Sequence, residues 1–256
     1  MKILKNSIYT LLDIFTFNKG FACIVNGFKV YFPAKWFRYF ESNYEESNVS
    51  FLKLHCKPGM VVVDIGAHLG LMSVISAQLV GEGGKVYSFE PTPNTFKVLK
   101  KVITMNHAEK TIHPVNKAVA KENKTVDFFL SADEGSNSNS LVSKNHRSRT
   151  PVKINVTSLD LFVDKHKINN IDVIKIDAEG SEYDVLLGAN KTIVQFKPKI
   201  ILAIHPPLIR NNNHNIADIY DFLVGHNYNV VLNNKTLSRE EFCSIEDFFD
   251  IHLITK

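Results

Sequence analysis

The sequence is short of the features that place a protein quickly. Its 256 residues include only three cysteines, one tryptophan and four methionines. Cys23, Cys56 and Cys243 are odd in number and lack the spacing of a metal ribbon or a disulfide framework. They read as buried free thiols in a reducing compartment. No apolar run reaches the roughly 18 residues of a spanning helix. Charge is equally unremarked: the net value is +4, and no basic, aromatic-interleaved stripe marks a nucleic-acid surface. These absences predict a cytoplasmic protein with no nucleic-acid partner and no transmembrane segment.

What is present is apolar material, 45% of the chain, enough for a large core. The N-terminal "MKILKNSIYTLLDIF" puts Ile3, Leu4, Ile8, Leu11, Leu12 and Phe15 near one helical face, while Asn6 and Asp13 interrupt any signal-peptide core. It is expected to be a helix docked on the domain. Lys2 and Lys5 beside the apolar face leave room for a weak peripheral membrane contact. "FACIVNGFKVYF" places Asn26-Gly27 between two apolar-rich runs, a hairpin signal. Trp36, Phe37, Tyr39, Phe40 and Tyr44 follow and read as core packing rather than a ligand wall.

From Pro58 onward, strand and helix patterns alternate. "MVVVDIG", "KVYSFE", "TIHPVNKAV", "IDVIKID" and "PKIILAIH" are strand-like. "LMSVISAQLV", "NTFKVLKKVITMN", "SEYDVLLGAN" and "NIADIYDFLVGH" are helical. That rhythm predicts an α/β fold with a mostly parallel sheet and helices on both faces. "YNVVLN" and "DIHLITK" read as closing strands. Residues 1–50 are taken as a helix-and-hairpin extension and 51–256 as the main domain, interrupted at 121–157 by two strands, "TVDFFL" and "PVKINV", around a polar loop. That loop carries Lys144, His146, Arg147 and Arg149, a basic cluster able to meet a polar or acidic substrate.

The stretch "VVVDIGAHLG" is the most informative. Ligands of open α/β sheets bind outside the carboxyl ends of the strands. Asp64 and Gly66 stand at such an end. The loop is not the dinucleotide fingerprint G-x-G-x-x-G, because His68 holds the position of the glycine that admits a pyrophosphate. Nor does it contain the Gly-Lys-Ser/Thr of a phosphate loop. Glu90 ends the next strand, about 20 residues on, where an acid accepts hydrogen bonds from ribose hydroxyls. Asp64, Gly66, Gly70 and Glu90 together describe a nucleoside ligand without phosphates, and S-adenosylmethionine has those features.

A second cluster lies in "IDVIKIDAEGSEYDVLLGA". Asp177 ends a strand, Glu179 follows, and Glu182 opens a helix, where a carboxylate is ordinary N-terminal helix charge. Carboxylates gathered at one strand tip point to function. Lys175 shares a side of its strand with Asp177. His205 ends "IILAIH" at the same edge and is either a proton acceptor or a structural histidine.

In order along the chain, "VVVDIGAHLG", "YSFEPTPNTFKVLKKVITMN", "VTSLDLFV" and "VIKIDAEGSEYDVLLGA" resemble the FkbM-type S-adenosylmethionine-dependent methyltransferases over roughly residues 50 to 205. The resemblance implies a Rossmann-like class I fold with a seven-stranded sheet. It also implies O-methyl transfer to a hydroxyl of a sugar, glycan, glycolipid or natural product. Carried onto this sequence, Asp64, Gly66, Ala67 and Gly70 line the methionine end and Glu90 the ribose. Pro91 and Asn94 follow in the same block, and Ala118 stands where adenine is contacted. Asp177, Glu179 and His205 are the catalytic candidates, with no residue assigned to a metal. Two other readings stay open: a metal-assisted O-methyltransferase of a small hydroxylated substrate, and a cofactor-binding scaffold without activity.

Overall fold

The computed structural model describes residues 2–17, 19–130 and 150–255, with side chains for 8–17, 19–126 and 152–255. The basic cluster Lys144, His146, Arg147 and Arg149 lies outside the described residues. Helix α1 (Lys2–Phe15) precedes a hairpin of β1 (Phe21–Val25) and β2 (Phe28–Phe32). Asn26 and Gly27 both have positive φ, 49° and 87°, as a tight two-residue turn between twisted strands requires. After α2 (Glu46–His55) the alternation begins: β3 (Val61–Ile65), α3 (Leu71–Val80), β4 (Lys85–Phe89), α4 (Pro93–Met105) and β5 (Ile112–Val115). A small excursion follows, of β6 (Ala118–Val119), β7 (Lys124–Leu130) and β8 (Thr150–Thr157). The chain returns through α5 (Leu159–His166), β9 (Val173–Ile176), α6 (Glu182–Gly188), α7 (Asn190–Phe196) and β10 (Lys199–Ile204). It ends with α8 (Pro206–Asn211), α9 (Ile216–Gly225), β11 (Tyr228–Leu232), β12 (Lys235–Thr236), α10 (Arg239–Cys243) and β13 (Phe249–Thr255).

The main sheet has the order β12-β11-β13-β10-β9-β3-β4-β5. Pairing is parallel from β10 through β5, and β13 runs antiparallel between β10 and β11. Seven strands match the expectation, and the two-residue β12 adds an eighth at the edge. The central strands are buried on both faces, and successive residues turn to opposite sides with the period of two that the pleat imposes. Val63, Ile65, Ile174, Ile176, Ile200 and Leu202 join one core, and Val62, Val173 and Ile201 join the other. Helices α2, α3 and α4 and the hairpin close the second face, and α5, α6, α7 and α9 close the first. "TVDFFL" and "PVKINV" do pair, antiparallel, with Lys124 opposite Val156.

Two expectations fail here. Among the described side chains of helix α1 the apolar stripe is not buried: Ile8, Leu11, Leu12 and Phe15 are exposed, as is Ile14, with Phe15 at 80%, while the side chains of Ile3 and Leu4 lie outside the described residues. The core on that side is already closed by Val25, Val30 and Phe32. The described tie is polar, the Ala34 amide donating to Asp13 Oδ1 at 2.7 Å. Of the three free thiols, only Cys56 is buried, where burial raises its pKa to about 12; Cys23 and Cys243 are partly exposed.

Candidate active site

Parallel strands end on one side, so the loops after β3, β4, β9 and β10 share one edge of the sheet. Those after β3, β4 and β9 border a cavity of about 980 Å³, counted to its open mouth. Asp64, Gly66, Ala67, Glu90, Pro91, Ala118, Asp177 and Glu179 all contribute to its wall.

Asp64 is 1% exposed. Its Oδ2 accepts a 2.5 Å hydrogen bond from Ser73, whose hydroxyl in turn accepts one from Ser88. Its Oδ1 is buried without a donor. Burial raises the Asp64 pKa, opposed by the Lys175 ammonium and the Ser73 hydroxyl. Lys175 is its neighbour across the β3–β9 pair. A buried oxygen left unpaired is costly, so the arrangement suits a ligand that brings an N–H or a positive charge.

The backbone of this loop is held by two glycines, each for a tertiary reason. Gly66 has φ +82°, and a Cβ on it would lie 1.9 Å from the Asp177 carbonyl oxygen. Gly70 has φ +92°, and a Cβ there would lie 2.5 Å from Leu99 Cδ1. Gly70 is thus a packing residue between α3 and α4 and is not part of the cavity wall.

Glu90 is 5% exposed. Its two oxygens accept from the Thr92 amide at 2.8 Å and the His68 amide at 3.0 Å. Burial lifts its pKa to about 7 against those hydrogen bonds. Asn94 is exposed on the first turn of α4 and does not reach the cavity. Thr92 and Thr95, three apart and so on one helical face, do. That spacing was readable in the sequence. Phe40, Tyr44 and Glu45 also line the cavity. Phe40 and Tyr44 therefore line the cavity as well as pack, and nothing in the local pattern marks them, since they arrive from a segment well before β3.

The second cluster lies beside the first. The Lys175 ammonium, 6% exposed, is 3.3 Å from Asp177 Oδ2. His205 Nε2 is 3.7 Å from Asp177 Oδ1 and 3.8 Å from Glu179 Oε2. Glu179 sits in the left-handed region at φ 49°. Burial raises its pKa to about 7, opposed by His205 and reinforced by Asp177 and Glu182. For His205, burial lowers the pKa, but the hydrogen bond and charge of Glu182, with Asp177 and Glu179, lift it to about 9. Glu182 is not surface helix charge. It is fully buried, and its Oε1 accepts from the Gly180 amide at 2.9 Å and from His205 Nδ1 at 2.8 Å. His205 does not itself line the cavity; it stands behind Asp177 and Glu179.

The sequence model of the methyltransferase FkbM domain matches residues 64–230. Among solved structures, the chain is similar to an rRNA-methylase candidate from Clostridium thermocellum, with TM-score 0.52 and 13% identity over 85% of this chain and 99% of that one. It is similar to a methyltransferase candidate from Streptococcus mutans in complex with SAH, with TM-score 0.50 and 10% identity over 81% and 95% of the two chains. It also resembles methyltransferase FkbM from Methylobacillus flagellatus KT, with TM-score 0.49 and 18% identity over 80% of this chain. The match takes in 49% of that protein, so this chain spans about half its length. A comparison with curated proteins gives no match. At these identities the structural likeness speaks to the fold, which is that of the class I methyltransferases.

Proposed function

The chain belongs to the FkbM methyltransferase domain family, and from that premise we propose that it methylates a hydroxyl of a saccharide, glycolipid or related natural product. The family is S-adenosylmethionine-dependent, and the residues present fit that cofactor. Asp64 offers a buried oxygen without a donor, and the loop at Gly66 leaves no room for a side chain. Bound in this cavity, S-adenosylmethionine supplies an electrophilic methyl group on a sulfonium.

The rest is the work of this chain's own residues. Glu90 accepts the ribose hydroxyls, Asp64 with Ser73 faces the amino-acid end, and Ala118 meets the adenine. Asp177 and Glu179, with His205 behind them, hold the acceptor hydroxyl while it loses its proton. A sulfonium methyl is already reactive, so most of the acceleration comes from holding the two reactants in line. The observation that carries this reading is the abutment of the two clusters. The loop at Gly66 lies against the Asp177 carbonyl, and this closeness supports a carboxylate–histidine group beside the methionine end. The polar character of that group favours a hydroxylated acceptor over an apolar one.

The test is methyl transfer from S-adenosylmethionine to a panel of saccharides, glycolipids, polyketides and rRNA, with products read by mass spectrometry. Methyl ethers on a saccharide or polyketide support the reading. Transfer to rRNA alone, or to none, contradicts it.

A further inference from the structure

Asp177 Oδ1, Glu179 Oε2 and His205 Nε2 converge on a point that none of them fills. Such ligand atoms of the three residues all lie within 4.8 Å of one another. Yet the two distances from Nε2, 3.7 and 3.8 Å, are beyond hydrogen-bond reach. Asp177 Oδ1 is closed off from solvent and has no donor, while Oδ2 of the same carboxylate is taken by Lys175. Atoms bound to one small divalent ion at about 2.1 Å can be no more than about 4.2 Å apart; the two separations from Nε2 meet that bound, and the carboxylate oxygens, within 4.8 Å of each other, meet it or come to it by a small side-chain rotation.

The imidazole is oriented from behind. His205 Nδ1 lies 2.8 Å from Glu182 Oε1, so Nε2 is the nitrogen turned to the two carboxylates, and an ion bound there takes the place of its proton. Glu182 is fully buried, and its other oxygen has no donor. A carboxylate behind the far nitrogen of a histidine is the usual support of a metal-binding imidazole. The ring is packed from the side by Phe248, with centroids 4.9 Å apart. Three carboxylates against the single Lys175 ammonium leave the pocket negative when His205 is neutral, as a divalent cation requires.

We propose that Asp177, Glu179 and His205 bind a divalent cation, and that this ion, with coordination positions left open, receives two neighbouring oxygens of the acceptor. The inference rests on the reading of this cluster as the acceptor side of the site and names how the cluster works. Two carboxylate oxygens and one imidazole nitrogen suit an ion of the Mn²⁺ or Mg²⁺ kind. An acceptor hydroxyl bound to it loses its proton to water more readily, because the ion stabilises the oxygen anion. The substrate class narrows accordingly to acceptors with adjacent oxygens, such as a vicinal diol.

The probe is Mn²⁺, titrated into the full chain with SAH present and followed by electron paramagnetic resonance. A saturable one-to-one site is expected, weakened in Glu179→Gln and His205→Gln. In Glu182→Gln, which touches no ion but supports His205 and the Gly180 amide beside Glu179, affinity should fall about 10- to 100-fold. An unchanged melting temperature in each variant reports an intact fold, and Glu179→Gln alone decides the matter if Glu182→Gln does not fold. No saturable Mn²⁺ site in the wild type, or equal binding in Glu179→Gln, overturns the proposal. Methylation of a diol that resists chelator, with no Mn²⁺ site, removes the cation and leaves the hydroxyl-methylating function standing. A Mn²⁺ site on a chain that methylates no hydroxylated acceptor supports the cation and removes that function.

Discussion

Glu90 is under two opposed demands. Burial favours its neutral form and brings its pKa to about 7, while ribose hydroxyls bind best to the carboxylate. Binding the cofactor therefore favours loss of that proton. Affinity should hold above pH 7 and fall as pH drops through 7, by up to about tenfold per unit. Glu90→Gln should flatten that dependence and weaken binding at pH 8 by about 10- to 100-fold, the loss of a charge-assisted hydrogen bond. Calorimetric titration across pH 6–8 checks both. Gly66→Ala meets a second constraint, a positive φ and the Asp177 carbonyl 1.9 Å from the new Cβ. Strain of that kind costs on the order of 1–3 kcal/mol before the clash is counted, so a lower melting temperature is expected by calorimetry.

Residues whose role is set by their own strand were legible. Asp64, Glu90 and Asp177 stand at the ends of apolar runs, and the parallel sheet did the rest. Residues whose role depends on a distant partner were not. Glu182 looks like helix N-terminal charge until His205, from the next strand, is seen against it. Asn94 sits in an informative block but on an exposed side of its helix away from the cavity, and Gly70 packs against Leu99 outside the cavity wall.

At the scale of elements, one buried polar side chain links the segment ahead of β3 to the last strand. Asn48 of α2, 1% exposed, donates to Glu45 Oε2 and Asp250 Oδ2, both at 2.9 Å, and its Oδ1 is 3.0 Å from His252 Nε2. The same segment carries Phe40, Tyr44 and Glu45 to the cavity wall. Asn48→Ala leaves those partners unpaired and should cost about 1–3 kcal/mol in denaturant unfolding. It should weaken cofactor binding as well, because the wall loses its anchor. This link could not be read in advance, since the partners are about 200 residues apart in sequence. The central strands could be, because burial on both faces writes a continuous apolar run. The two-residue β6 and β12 leave too little pattern to see.

For the whole molecule, two cores on either side of one sheet hold the site at the strand ends, and α1 contributes little to either. We read residues 1–50 as an extension whose first helix is separable. Removing residues 1–17 gives up the Asp13 contact to Ala34 and the exposed apolar side chains of α1. Melting temperature and S-adenosylmethionine affinity should be retained; loss of either would make α1 part of the domain. No helix among the described residues is long and apolar enough to cross a membrane.

The most direct measurement is isothermal titration of the full chain with S-adenosylmethionine and with SAH, beside Asp64→Ala and Glu90→Ala. Saturable binding of both ligands by the wild type, lost in both variants, is the expected result. Absence of binding by the wild type, or full affinity in the variants, would contradict the assignment of this cavity to the cofactor.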